Sequence, residues 1–304
     1  MGTTAKSEIL EFVNCNLCNS NSTRKFMMIK GFNIVKCKKC GLIYVNPRLK
    51  ENKLHQIYNK EYFSNEAFNG SELPFYGYHK YLEEKVYIQA TFNKRLKIIN
   101  KFCRKGRLLD IGCAFGFFLE LAGNNGWDVQ GIEISEHAYN YAKNVLKLPV
   151  LNKTLEEAGF KKNSFDVVTL FDVIEHMPDP KSTLKGIRKI LKPNGLLVVT
   201  TPDIGSITAK ILGKNWEEIR RVREHIYFFS EYTLKKILES LNFEVLKTES
   251  AGRFFSVKMA VERGNLYNKT IFTAIGKISN ALGLSNKMIY VDPHYKMTIY
   301  ARKV

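Results

Sequence analysis

The stretch Arg107-Leu-Leu-Asp-Ile-Gly-Cys-Ala-Phe-Gly-Phe-Phe-Leu-Glu-Leu-Ala122 decides the fold. Its first five residues are a short apolar run suited to a buried strand, and Phe117 to Ala122 suit a helix. Between them, Gly112-Cys-Ala-Phe-Gly116 is a turn whose glycines let the backbone approach a ligand without side-chain clashes. Strand, glycine turn and helix in this order open a nucleotide-binding βαβ unit. The turn is GxAxG with Asp110 two residues before it, not the GxGxxG of dehydrogenases.

Downstream segments narrow the reading. Trp127 to Ile134 is a second strand that carries Glu133 near its end, placed to accept the hydroxyl protons of a ribose. Ser164 to Asp172 is a buried strand ending in a carboxylate, followed by Val173-Ile-Glu-His-Met-Pro-Asp-Pro180. A helix to Leu191, the turn Lys192-Pro-Asn-Gly195 and the strand Leu196 to Thr201 come next.

Together LLDIGCAFG, VQGIEIS, SFDVVTLFDVIEHMPDP and KPNGLLVVTTPD resemble the class I S-adenosylmethionine (SAM)-dependent methyltransferase family over residues 106–250. The resemblance implies an α/β fold, a Rossmann-like seven-stranded sheet that ends in an antiparallel pair. It places Asp110, Gly112 and Gly116 around the methionine part of SAM and Glu133 on the ribose. It sets Thr154-Leu155-Glu156 beside the adenine and Phe171-Asp172 beneath the sulfonium. Ala114 stands where the family usually has a second glycine, which tightens the turn.

Upstream, Cys15-x-x-Cys18 and Cys37-x-x-Cys40 have the spacing of a four-sulfur zinc site. A chain of 304 residues does not need disulfides to hold a core, which favours metal over cystine. Four Cys ligands leave no position for water, so the expected Zn²⁺ is structural. Lys25 to Ile29 and Phe32 to Lys36 read as two short strands with Gly31 in the turn between them. The expected organisation is a zinc-ribbon module over 1–45, a linker and helical cap over 46–105, and a SAM-binding domain over 106–304. The linker carries Tyr62, Phe63, Phe68, Phe75, Tyr76, Tyr78 and His79, and a helix is expected from Tyr81 to Cys103.

Phe243 to Thr248 and Lys296 to Arg302 are the two strands expected to pair at the sheet's end. The stretch between them is far too long for a hairpin loop. An inserted helical cap is therefore expected at about 252–294, with Ile271, Phe272, Ile275, Ile278 and Leu282 close to one face of a helix. It is expected to pack at the substrate entrance, with a helix lying in a membrane surface as the alternative.

Methyl transfer is an in-line displacement, so the protein must position the acceptor and remove its proton. The bases considered are His225, with Glu224 beside it, and His176 at the rim of the pocket. Glu224-His-Ile-Tyr-Phe-Phe-Ser230 is similar to a segment of sugar C-methyltransferases, which also carry a cysteine-rich zinc module. That similarity implies catalytic roles for Glu224 and His225. A Tyr usually precedes the pair by two residues there, and Val222 stands here.

The net charge is +18, from 47 basic and 29 acidic residues, with Lys spread along the chain. The expected reaction is methylation at oxygen or carbon of a small-molecule, sugar or lipid-linked acceptor. The alternative is an RNA methyltransferase that grips nucleic acid with its ribbon and basic surface. A peripheral membrane contact would also suit the charge. No signal-peptide-like or bilayer-spanning apolar run is present, and a cytoplasmic location is expected.

Overall fold

The computed structural model describes residues 9–55, 57 and 81–304. The aromatic residues singled out between Tyr62 and His79 lie outside the described residues. Strands β1 (Leu10–Glu11), β2 (Thr23–Ile29), β3 (Phe32–Cys37), β4 (Ile43–Val45) and β5 (Arg48–Leu49) build the N-terminal ribbon. Gly31, at φ +80°, turns β2 into β3.

The rest of the chain forms a sheet with helices on both faces. In chain order it comprises α1 (Lys85–Phe102), β6 (Arg107–Ile111), α2 (Phe117–Asn124), β7 (Asp128–Ile132), α3 (Glu136–Asn140), β8 (Val150–Leu151), β9 (Phe165–Phe171), α4 (Pro180–Ile190), β10 (Leu191–Pro202), β11 (Tyr227–Phe228), α5 (Glu231–Glu239), β12 (Phe243–Ser250), β13 (Arg253–Ser256), α6 (Val257–Gly264), α7 (Lys269–Ala281), β14 (Met288–Val291) and β15 (Lys296–Lys303). The seven-stranded sheet runs β12-β15-β10-β9-β6-β7-β8. β15 pairs antiparallel with both β10 and β12, while β10, β9, β6, β7 and β8 are mutually parallel. The expected terminal pair is thus β12 and β15.

Alternation along the strands divides the core. Leu109, Val168 and Leu197 face Leu184, Ile187 and Leu234 of α4 and α5. Leu108, Val167, Leu196 and Val198 face Leu96, Ile99, Phe118 and Leu119 of α1 and α2. This is the period of two expected when both faces of a sheet are covered.

The chain leaves β6 toward β7 and β8, then returns to the other side of β6 as β9. The strand order therefore reverses between β6 and β9, where a crevice opens at the strands' C-terminal ends.

Two features departed from the one-dimensional reading. β11 joins the ribbon's sheet, pairing Tyr227 with Tyr44, so that sheet runs β11-β4-β3-β2. The ribbon residues Ile29, Ile34, Ile43 and Val45 share a core with Trp216, Ile219, Val222 and Phe228. The insertion contains a hairpin as well as helices, with β13 and β14 pairing antiparallel beside α6 and α7. No helix among the described residues is long and apolar enough to cross a membrane.

Candidate active site

Gly112 follows β6 with φ +69°, and a Cβ there would meet Val173 Cγ2 at 2.7 Å. Only glycine suits both constraints. Glu133, just past β7, is buried. Its carboxylate accepts from Ala114 N–H and from Ser135 N–H, each at 2.8 Å. A carboxylate has about four lone-pair positions, so these two bonds orient Glu133 and leave acceptor capacity over. Burial raises its pKa, and the two N–H donors oppose that rise.

These residues line a cleft of about 280 Å³ with Ile132, Lys153, Thr154, Leu155, Glu156, Asp172, Met177 and Asp179. A chamber of about 760 Å³ lies beside it, walled by Arg95, Glu175, Glu218, Arg221, His225, Arg253, Tyr295, Lys296 and the inner faces of α6 and α7. The linings of the two cavities share Asp172 and His176.

A charged network surrounds that junction. Lys296 Nζ lies 2.9 Å from Asp172 Oδ1 and 3.4 Å from Glu218 Oε1. Burial opposes the Lys296 charge, but the two carboxylates hold its pKa above the usual range. Against the same burial, Lys296 and Arg95 hold the Asp172 carboxyl below its ordinary value. Arg221 pairs with Glu224 and reaches Glu218 at 4.0 Å.

His176 and His225 pack edge to face, with ring centroids 4.6 Å apart. His176 Nδ1 lies 3.0 Å from the Glu224 carbonyl oxygen, which favours the tautomer with the proton on Nδ1. Its Nε2 is then the lone-pair nitrogen. His225 Nδ1 lies 3.5 Å from Glu218 Oε2. Burial, then the Arg221 charge, pushes His176 down to about 3 and His225 well below its usual value. Both rings are therefore neutral at physiological pH.

The residues expected from sequence do not all reach a cavity. Gly112, Glu133, Leu155 and Asp172 line the cleft, and His176 and His225 line the chamber. Asp110 is buried and instead accepts from Thr169 Oγ1 at 2.6 Å. Phe171 packs with Phe92, Phe118 and the Arg95 guanidinium. Gly116 begins α2 and packs toward Leu148 and Ala142. Glu224 binds Arg221 and holds His176 through its backbone carbonyl. Sequence reasoning missed Lys296, Glu218, Arg221 and Glu175. Of these, Glu175 carried a signal, lying between the flagged Asp172 and His176.

The four cysteines come together. Cys15 Sγ lies 3.3 Å from Cys40 Sγ and Cys18 Sγ lies 3.6 Å from Cys37 Sγ, with all four within 4.8 Å. These separations exceed a disulfide's. They match the roughly 3.8 Å between sulfurs on one tetrahedral ion at 2.3 Å. SAM also fits the cleft, which offers an oriented carboxylate, a side-chain-free turn and the apolar Leu155 and Ile132.

A methyltransferase-domain family model matches residues 80–248. The ubiquinone biosynthesis O-methyltransferase of Coxiella burnetii is 32% identical over 114 residues, covering 35% of this chain and 49% of the relative. That of Cereibacter sphaeroides is 34% identical over 117 residues, covering 36% and 47%. The chain thus spans about half the length of the curated relatives it matches. A SAM-dependent methyltransferase from Archaeoglobus fulgidus superposes with TM-score 0.50 at 24% identity, covering 73% of this chain and 99% of that one. At that identity the likeness concerns the fold. The family model spans more than half of the 304 residues, and the chain belongs to the methyltransferase-domain family.

Proposed function

We propose that this protein is a SAM-dependent methyltransferase acting on oxygen or carbon of a small-molecule, sugar or lipid-linked acceptor. The observation that carries the reading is the meeting of a nucleotide-type cleft and a larger chamber at Asp172 and His176. Curated relatives named as O-methyltransferases support oxygen as the receiving atom. A chamber of this size suits a small acceptor better than RNA, so the nucleic-acid alternative is not favoured.

When bound, SAM supplies a methyl group on a sulfonium that departs as a neutral thioether. In the proposed arrangement Glu133 takes the ribose hydroxyls, Leu155 and its neighbours flank the base, and Gly112 gives the backbone close approach. Asp110, Gly116 and Phe171 support that wall from behind. Asp172, held by Lys296, puts negative charge at the junction. The neutral ring of His176 or His225 accepts the acceptor's proton while the acceptor's own lone pair forms the new bond to the methyl carbon. Glu224 is a positioning residue for His176 and Arg221. A structural Zn²⁺ held by Cys15, Cys18, Cys37 and Cys40 fits the same picture. Burial lifts the Cys40 thiol to about 11 and Cys15 higher still, so ion binding would displace protons from the cluster.

Calorimetry tests the cofactor reading. Wild type binds SAM, and Glu133→Ala weakens binding by about 10- to 100-fold, the equivalent of 1.5–3 kcal/mol for hydrogen bonds to a charged group. Unchanged affinity would remove Glu133 from the site. With an acceptor identified from a labelled-SAM screen, His176→Ala and His225→Ala should lower kcat, and His225→Ala, which lies outside the cleft lining, should leave SAM affinity unchanged.

A further inference from the structure

We propose that the outer face of the inserted cap docks on an anionic lipid bilayer surface. Helix α7 is held from one side, where Phe272 sits against Gly264 and Gly276 approaches Val261. Ser279 is the buried residue of the same helix. The neighbouring face, roughly 100° round the helix from these contacts, carries Ile271, Ile275, Ile278 and Leu282, exposed at 55%, 42%, 61% and 65%. Their spacing of four, three and four residues makes one stripe along the helix. Ile207 and Ile211, on the short helix Ile207–Leu212, are more exposed still, at 74% and 78%. Leu266, Leu284 and Met288 of the same insertion are exposed as well.

The patch adjoins the chamber. Ile275 and Tyr267 are exposed and also line it, and Thr208 and Leu212 line it between and beside the exposed Ile207 and Ile211. Exposed apolar area concentrated at a cavity rim marks a contact surface rather than scattered surface hydrophobes.

Charge selects the occupant. Residues 264–291 contain Lys269, Lys277 and Lys287 and no Asp or Glu, and residues 204–216 contain Lys210 and Lys214 and no Asp or Glu. All five lysines are exposed. An exposed apolar stripe on a helix whose other faces carry lysines and no acidic residue is the pattern of an interfacial helix, its apolar face in the acyl boundary and its ammonium groups among anionic headgroups. A second copy would set this basic face against the same basic face across a twofold axis, where like charges repel. The bilayer has the opposite sign.

The test is cosedimentation of the full chain with phosphatidylcholine vesicles, with and without phosphatidylglycerol. Binding should require phosphatidylglycerol and weaken as salt rises. Ile271→Ser combined with Ile278→Ser should reduce partitioning by at least about tenfold, from the apolar area withdrawn from the bilayer. Both positions are exposed, so an unchanged thermal melt confirms that the variant folds. Lys269→Glu with Lys277→Glu should abolish the preference for phosphatidylglycerol. Equal binding to both vesicle types, no loss in the Ile variant, or a dimer in sedimentation equilibrium that the Ile variant dissolves would each overturn the proposal. The readout needs no methyl acceptor, so it is separate from the test of the catalytic reading.

Discussion

Ala114 has φ +48° in the turn between β6 and α2, a conformation in which its Cβ crowds the backbone. Its N–H nonetheless donates to Glu133, so the strain is held where a ligand contact is prepared. Ala114→Gly should therefore raise stability by up to about 1 kcal/mol, seen as a higher melting temperature with Glu133 still oriented. A lower melting temperature would show that the methyl packs favourably. Glu175 gives a second residue-scale prediction. Burial, then the Asp172 charge, raises its carboxyl to about 8 from an ordinary value of 4.5. Between those values the folded chain keeps a proton that the unfolded chain releases. Stability from this group is full below pH 4.5 and is lost as pH rises toward 8. Glu175→Gln should flatten that fall, and equal slopes in wild type and variant would contradict it. The reading of single residues from sequence succeeded where local pattern governs: Glu133 ends a strand, and two CxxC pairs meet. It missed Lys296, which reaches Asp172 across 124 positions by virtue of the β15 register. No periodicity announces such a contact.

At the scale of elements, the ribbon and the loop after β9 act together. Asn16, inside the first cysteine pair, donates to Asp179 Oδ1 at 2.7 Å and accepts from Lys181 N–H at 2.8 Å. Lys181 Nζ donates to the Leu17 carbonyl at 3.0 Å. Arg48 donates to the Pro178 carbonyl at 2.7 Å and to Tyr227 Oη at 3.0 Å, while pairing with Glu11. Pro178 and Asp179 line the cleft that carries Glu133. With Zn²⁺ held by the four cysteines as proposed, chelation should therefore weaken SAM binding as well as lower the melting temperature, by a factor within the roughly 5- to 150-fold span of coupled sites. Calorimetry before and after chelation measures it, and unchanged affinity would separate ribbon from cleft. The β6–turn–α2 unit and the CxxC turns were legible because short-range geometry makes them. The β11–β4 pairing was not, because Tyr227 and Tyr44 carry no local sign of each other.

Across the whole molecule, the ribbon and the sheet domain form one body. Trp216, Ile219, Val222 and Phe228 are buried against the ribbon strands, so a chain lacking residues 9–49 would expose them. The seven-stranded sheet with its antiparallel terminal pair followed from the family resemblance, yet the sequence alone did not reveal that the cap's isoleucines are exposed. Periodicity reports a stripe, not which side of the helix finds a partner. One further consequence comes from the two cavities, whose linings share Asp172 and His176. Neither compartment has to empty before the other fills. Turnover then passes through a ternary complex, and double-reciprocal plots at varied donor concentrations should intersect. Parallel lines would mean that the first product leaves before the second reactant arrives, with the methyl group parked on the protein.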